Sequence, residues 1–115
     1  MKDDGALDFA CLERLVDWHL EQGTDGLVIA GTTGEASTLT KAEHVEVIRI
    51  AARRAAGRVP VIAGTGSNST AQTIDLSRAV GELPVDGYLV VTPYYNKPTQ
   101  EGLYRHFVAI ADAVE

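Results

Sequence analysis

Leu27-Val28-Ile29-Ala30 runs straight into Gly31-Thr32-Thr33-Gly34-Glu35, and this join between an apolar run and a Gly/Thr loop decides the fold. A short apolar run without polar alternation reads as a strand covered on both faces, as in a parallel sheet. The same join occurs twice more. Val59 to Ala63, interrupted by Pro60, meets Gly64-Thr65-Gly66-Ser67-Asn68, and Tyr88-Leu89-Val90-Val91 meets Thr92-Pro93-Tyr94-Tyr95-Asn96. Between the runs the period turns helical. Thr40 and Glu43 have the spacing of a capping box, in which hydroxyl and carboxylate each take a free backbone N–H. Val45, Ile48, Ala52 and Ala55 follow at intervals of three and four, Arg53 and Arg54 suit the negative end of the helix dipole, and Gly57 stops the helix. Another helix starts near Ser69 or Thr70 and carries Ile74. A further one starts at Thr99, with Leu103, Phe107, Ile110 and Val114 on one face. A first helix, with Leu12, Leu15, Val16 and Leu20, precedes the first strand. The order α-βα-βα-βα predicts a parallel α/β fold.

Three parallel strands cannot close a barrel, and both edges of such a sheet expose unpaired backbone groups. A (β/α)8 TIM barrel takes ~250 residues, so residues 1–115 read as a partial barrel domain, roughly half of one. The alternative is a small open three-stranded sheet.

Composition narrows the function classes. With 16 acidic against 10 basic side chains the formal charge is −6, which argues against nucleic acid and against an anionic membrane surface. No apolar run approaches the ~18 residues of a spanning helix. Met1-Lys2-Asp3-Asp4 is acidic where a signal peptide is basic, so a cytoplasmic protein is expected. Cys11 is the only cysteine, which excludes an internal disulfide and a cysteine-built zinc site. His44-Val45-Glu46 is half of a deaminase metal signature without its cysteine pair. His19 and His106 are distant in sequence, and all three histidines read as surface or core residues. No metal and no cofactor are expected.

In parallel α/β folds, sites sit at the C-terminal ends of strands. Gly31-Thr32-Thr33-Gly34-Glu35 offers two hydroxyls and several backbone N–H groups, which can hold a carboxylate without a formal cation. A plain strand-to-helix turn is the alternative. Gly64-Thr65-Gly66-Ser67-Asn68-Ser69 starts like a dinucleotide fingerprint, but Ser69 stands in place of the last glycine and no acidic residue closes a later strand, so a nicotinamide site is rejected. Asn68-Ser69-Thr70 matches a glycosylation acceptor, which means nothing without a secretion signal. In Thr92-Pro93-Tyr94-Tyr95-Asn96-Lys97-Pro98 two prolines stiffen a loop whose adjacent tyrosines must point apart. A phenol there suits proton transfer or an interface anchor; two tyrosines packed under a loop are the alternative.

Taken together, Gly31-Thr32-Thr33-Gly34-Glu35, Val61-Ile62-Ala63-Gly64-Thr65-Gly66 and Thr92-Pro93-Tyr94-Tyr95-Asn96-Lys97-Pro98, with Gln100-Glu101-Gly102-Leu103-Tyr104, resemble the dihydrodipicolinate synthase family over essentially the whole chain. The resemblance implies a class I aldolase-type barrel that condenses pyruvate with L-aspartate 4-semialdehyde through a Schiff base, in lysine and diaminopimelate biosynthesis. It implies that family members carry a strand before the stretch resembling Met1-Lys2-Asp3-Asp4-Gly5, making Met1 an internal methionine, and four more strands beyond Glu115, so that the chain would cover roughly the first half of the barrel, helix 1 through helix 4 and strands 2 to 4, with the first strand and the later strands absent. Those strands carry the Schiff-base lysine, a relay tyrosine and a substrate-binding arginine. Lys2, Lys41 and Lys97, none inside a strand, are the only lysines here, so the chain alone should be inactive. By motif position, Thr32 and Tyr95 match the proton relay, with Tyr95 serving the neighbouring subunit of a homo-oligomer (dimer or tetramer). Thr33, with Gly31, matches the residues that bind the pyruvate carboxylate. A lysine-feedback pocket at the dimer interface maps to Ala36, Ser37, Lys41, His44, Asn68, Gln72 and Tyr94. Gln72 replaces an acidic residue and Lys41 a frequent histidine, so L-lysine is expected to inhibit weakly. The rival readings are another pyruvate-dependent class I aldolase, such as N-acetylneuraminate lyase or a keto-deoxy-sugar aldolase, and a non-catalytic half-barrel that assembles with partner chains.

Overall fold

A computed structural model describes residues 1–114. Helix α1 spans Phe9–Glu21, β1 Leu27–Ile29, α2 Lys41–Ala55, β2 Val61–Gly64, α3 Thr70–Gly81, β3 Gly87–Leu89 and α4 Gln100–Ala113, with a 3-10 turn over Ala36–Thr38. Each helix opens on a capping side chain. Asp8 accepts from Cys11 N at 2.9 Å, and Thr99 accepts from Gly102 N at 3.2 Å. Ser69 accepts from Gln72 N at 3.4 Å. The capping box of α2 is closed, because Thr40 N donates to Glu43 Oε2 at 2.9 Å while Thr40 Oγ1 accepts from Glu43 N. The Thr40 backbone N–H, with its hydroxyl, holds the Glu43 carboxyl below the usual carboxylate range. Helix α2 ends one residue earlier than Gly57 suggests, since Ala56 already turns left-handed at φ 51° and Gly57 continues at φ 72°.

The sheet has the order β1-β2-β3, and both pairings are parallel. At its base Asp86 completes the ladder from both sides. Its N–H donates to the Val61 carbonyl and its carboxylate accepts from Val61 N, each at 2.8 Å. Leu27, Ile29, Val61 and Ala63 pack against Ile48, Ala51, Ala52 and Ala55 of α2, with Val16 of α1 and Val80 of α3 closing the core. The alanines let α2 approach the sheet closely. Arg54 ties α2 to α1 by donating to both carboxylate oxygens of Asp17, through Nε at 2.7 Å and Nη2 at 2.5 Å.

Three expectations are corrected here. The sheet is covered on one face only. Val28, Ile62 and Leu89 share the opposite face by register, and Val28 and Leu89 keep 57% and 47% of their surface exposed. Helices α1 to α3 all lie on the Leu27/Ile29 side, so a continuous apolar run here reflects two faces of which one has no covering layer among the described residues. The third strand stops at Leu89, leaving Val90 and Val91 in the following loop. The helical stripes are also narrower than the apolar positions suggest. Leu15 is exposed on α1, and on α4 the buried positions are His106 and Ile110, with Phe107 at the edge of the stripe.

Candidate functional site

The loops after all three strands converge on one cavity of about 810 Å3 at the C-terminal end of the sheet. Two glycines make that convergence possible. A Cβ on Gly64 would stand 2.2 Å from the carbonyl oxygen of Ala30, and one on Gly66 would stand 2.2 Å from Val91 N. The β1 loop therefore lies directly on Gly64 and the β3 loop on Gly66, an approach only a residue without a side chain allows. The Gly64-Thr65-Gly66 string that begins like a phosphate loop is a spacing device between three strands.

The β1 loop itself is a tight turn. Ala30 and Glu35 both take left-handed backbone, at φ 55° and 56°, and Glu35 N donates to the Thr32 carbonyl at 3.1 Å. Gly31 and Thr32 line the cavity; Thr33, one residue on, is exposed and does not. Of the residues matched to the feedback pocket, Ala36, Ser37, Lys41, His44, Gln72 and Tyr94 line the cavity with them. Asn68 is outside the lining, half-buried, and its carbonyl accepts from Asn96 Nδ2 at 3.2 Å. His44 is buried, and its Nε2 donates to the Gly64 carbonyl at 2.6 Å. Because a carbonyl only accepts, Nε2 carries the hydrogen. Lys41 Nζ pairs with Asp75 across α2 and α3.

In the β3 loop Pro93 is buried, while Tyr95 stands clear of the chain with 92% of its surface exposed. Its backbone is left-handed at φ 71°, as is that of Lys97 at φ 44°. Left-handed backbone at a bulky residue costs roughly 1–2 kcal/mol, so the loop holds an exposed phenol outward at the expense of local strain. Tyr94, by contrast, turns to the cavity.

Several residues that position the site have no obvious sequence signal. Ser77 Oγ donates to Thr65 Oγ1 at 2.8 Å with both residues fully buried. Thr73 Oγ1, also fully buried, accepts from Ser67 N at 3.0 Å. Ser67 Oγ then donates to Gln72 Oε1 at 3.2 Å and accepts from Ser69 N at 3.0 Å. These bonds dock α3 on the β2 loop. The one available hint was that Thr73, Ser77 and Val80 fall on one helical face, so a polar stripe points at the sheet. His106 is buried between α3 and α4, with Nδ1 2.9 Å from Thr70 Oγ1. Burial pushes its imidazole below the ordinary histidine range. Among the described residues no three His, Cys, Asp or Glu side chains are grouped to hold a metal ion, and no helix is long and apolar enough to cross a membrane.

The chain has close relatives. The model of the family described as "Dihydrodipicolinate synthetase family" matches residues 1–115. The 4-hydroxy-tetrahydrodipicolinate synthase of Methylococcus capsulatus is 57% identical over 115 residues, covering all of this chain and 40% of the relative. A chloride-inhibited dihydrodipicolinate synthase from Acinetobacter baumannii, solved in complex with pyruvate, superposes with a TM-score of 0.98 at 58% identity, over 100% of this chain and 40% of that one. The synthase from Cyanidioschyzon merolae, solved with lysine bound, gives a TM-score of 0.91 at 44% identity, over 95% of this chain and 37% of that one. The chain thus spans about two fifths of the length of the curated relatives it matches. Its helices and parallel sheet correspond to the N-terminal part of a (β/α)8 barrel.

Proposed function

The chain belongs to the dihydrodipicolinate synthetase family, and we propose that it supplies the N-terminal part of a 4-hydroxy-tetrahydrodipicolinate synthase. In that reading residues 1–115 are part of one barrel domain whose first and later strands lie outside them. The complete protein is a cytoplasmic homo-oligomer, a dimer or tetramer, that condenses pyruvate with L-aspartate 4-semialdehyde. The observation that carries this is the family match over all 115 residues. The A. baumannii relative bound to pyruvate supports pyruvate as a substrate.

The residues of this chain take distinct roles. Gly31 and Thr33 hold the pyruvate carboxylate with backbone N–H and hydroxyl donors, which need no formal cation. Thr32 passes protons, because a hydroxyl both donates and accepts. Tyr95 extends the relay into the neighbouring subunit, a role suited to a phenol held outward on strained backbone. Lys2, Lys41 and Lys97 are not imine formers. Lys2 lies before α1, Lys41 is the first residue of α2 and is paired to Asp75, and Lys97 lies in the β3 loop. A catalytic imine needs an amine freed of its proton by burial, so that group comes from outside these residues. The part of the cavity lined by Ser37, His44, Gln72 and Tyr94, with Asn68 at its margin, is the lysine pocket. The C. merolae relative with lysine bound supports this ligand, and Gln72 in place of a carboxylate makes the inhibition weak.

The experiment uses the full-length protein. Tyr95→Phe and Thr32→Val each remove one hydroxyl and keep the shape, and each should lower turnover by a general acid–base factor of ~10²–10⁴. Mixing Tyr95→Phe chains with chains lacking the imine lysine should restore part of the activity in mixed dimers. Undiminished turnover in Tyr95→Phe, or no complementation in demonstrably mixed dimers, removes Tyr95 from the mechanism.

A further inference from the structure

The strained part of the β3 loop hangs on one side chain. Asn96 N donates to the Tyr94 carbonyl at 2.9 Å, closing a three-residue turn around Tyr95. With Tyr95 at φ 71°, this is the rare and strained form of the γ-turn. The Tyr95 ring, 92% exposed, does nothing to hold it. Among the described residues, the one hydrogen bond from residues 90–98 to the rest of the chain comes from the next side chain, Asn96, whose Nδ2 donates to the Asn68 carbonyl at 3.2 Å. We propose that Asn96 is a positioning residue for the Tyr95 phenol: its amide pins the strained turn to the β2 loop and so keeps the ring outward. This rests on the reading of Tyr95 as a relay group and adds what holds that group in place.

The acceptor is a fixed post. Asn68 offers its backbone carbonyl, and it lies between two residues that are themselves held. Ser67 N donates to the fully buried Thr73 Oγ1 at 3.0 Å, and Ser69 N donates to Ser67 Oγ at 3.0 Å. The root of the β3 loop is held by the same β2 loop, because Thr65 N and Gly66 N both donate to the Leu89 carbonyl, at 3.1 and 3.3 Å. Residues 90–95 therefore bridge two attachments, at Leu89 and at Asn96. Releasing the second lets Tyr95 leave left-handed backbone, which relieves its strain and swings the ring away. An amide suits this task, since a carbonyl only accepts and the amide supplies the donor.

The outward turn is disfavoured on its own backbone, so loss of the tie is felt in full as lost population. A neutral hydrogen bond shifts such an equilibrium about three- to tenfold, and turnover should fall with the competent fraction. That is well short of the ~10²–10⁴ expected for removing the phenol itself.

Steady-state kinetics of the full-length protein tests this. Asn96→Asp keeps the shape and puts an acceptor where the donor was, and Asn96→Ala removes the donor without adding charge. Asn96 is exposed, so neither change disturbs the core. Each should lower kcat about three- to tenfold and leave the KM for pyruvate unchanged, because Gly31 and Thr33 lie in a different loop. In a Tyr95→Phe background Asn96→Ala should lower kcat no further, since no phenol remains to be placed. With Tyr95→Phe itself slow, three results overturn the proposal and leave the relay standing: an undiminished kcat in Asn96→Ala, a raised KM in place of a lowered kcat, or a further three- to tenfold loss on top of Tyr95→Phe. Undiminished turnover in Tyr95→Phe overturns the relay reading and this inference together.

Discussion

Gly64→Ala adds one methyl group at the point where two strand loops meet. The added Cβ would begin 2.2 Å from the Ala30 carbonyl oxygen and 2.7 Å from its carbonyl carbon, where real Cβ atoms keep at least 3.0 Å. The contact is with backbone, so no side chain can swing aside. Either the Ala30–Gly31 peptide retreats by about 1 Å or the β1–β2 ladder opens, and inserted methyls in packed interiors cost typically 1–3 kcal/mol. The upper end applies, because Ala30 is itself pinned in left-handed backbone at φ 55°. A loss of about 3 kcal/mol lowers the folding constant by roughly a hundredfold. Gly31→Ala is the matched control, since its Cβ would meet Val28 Cγ1 at 3.6 Å and Leu89 Cδ2 at 3.8 Å, ordinary contact; its stability should stay within about 0.5 kcal/mol. Urea denaturation of the full-length protein followed by circular dichroism compares the two. Because the moving peptide leads directly into Thr32, a displacement near 1 Å should also lower turnover in Gly64→Ala about 10²-fold. A Gly64→Ala protein as stable as Gly31→Ala, with undiminished turnover, would refute the claim that this glycine sets the distance between the loops.

Three further outcomes follow from the same geometry. The 115-residue chain treated with pyruvate and borohydride should gain no adduct by mass spectrometry; a stoichiometric adduct on Lys41 or Lys97 would contradict the reading of its lysines. Thr40→Ala removes the hydroxyl that caps α2 and should destabilise by about 1 kcal/mol in denaturant titration, whereas Thr38→Ala, whose hydroxyl bonds the Glu35 carbonyl in the loop before α2, tests whether any local threonine has the same effect. Burial lowers the His106 pKa below its ordinary value near 6.5. The unfolded chain then binds the proton first as pH falls, so His106 leaves stability intact above about pH 6.5 and reduces it as pH drops through the folded value. His106→Gln should flatten that part of the stability profile, and an unchanged slope between pH 7 and 5 would count against a buried neutral imidazole.

How far the sequence carries depends on the range of the interaction being read. Strand-to-helix alternation and the Thr40, Ser69 and Thr99 caps are local, decided within a few residues, and they stand in the structure where their spacing puts them. Burial is not local. Leu27-Val28-Ile29-Ala30 reads as covered on both faces because apolar residues occupy both, yet covering the Val28 face takes a layer that none of the described helices supplies. The glycine pair shows the same limit at the site. Gly64-Thr65-Gly66 can be a phosphate cradle or a spacer, and the choice turns on which backbone passes over it, Ala30 from 34 positions earlier and Val91 from 25 later. The Lys41–Asp75 pair is non-local in the same way: nothing within α3 marks Asp75, and only the start of the neighbouring helix brings an ammonium to it.

The open sheet face and the exposed Tyr95 have one physical implication. Val28 and Leu89 present apolar surface to water on the inner side of the sheet, while Tyr95 carries a strained backbone that no contact of its own side chain within the described residues offsets. Natural folds retain such costs where a further surface returns them. The two features face different demands. The sheet face needs a broad apolar layer, as the rest of a barrel provides, whereas a single outward phenol at the rim needs a pocket on another surface. A partner that covers only the sheet would leave Tyr95 strained and solvent-exposed. The proposed assembly, with barrel closure over Val28, Ile62 and Leu89 and a second subunit receiving Tyr95, satisfies both, and it makes the strain at residue 95 a measure of subunit contact. Tyr95→Gly removes that strain together with the ring. It should therefore stabilise the dissociated subunit while weakening dimerisation, seen as a dimer dissociation constant in sedimentation equilibrium that rises at the same time as the monomer's denaturation midpoint. A dimer that holds as tightly without the ring as with it would show that the β3 loop is bent outward for some reason other than its neighbour.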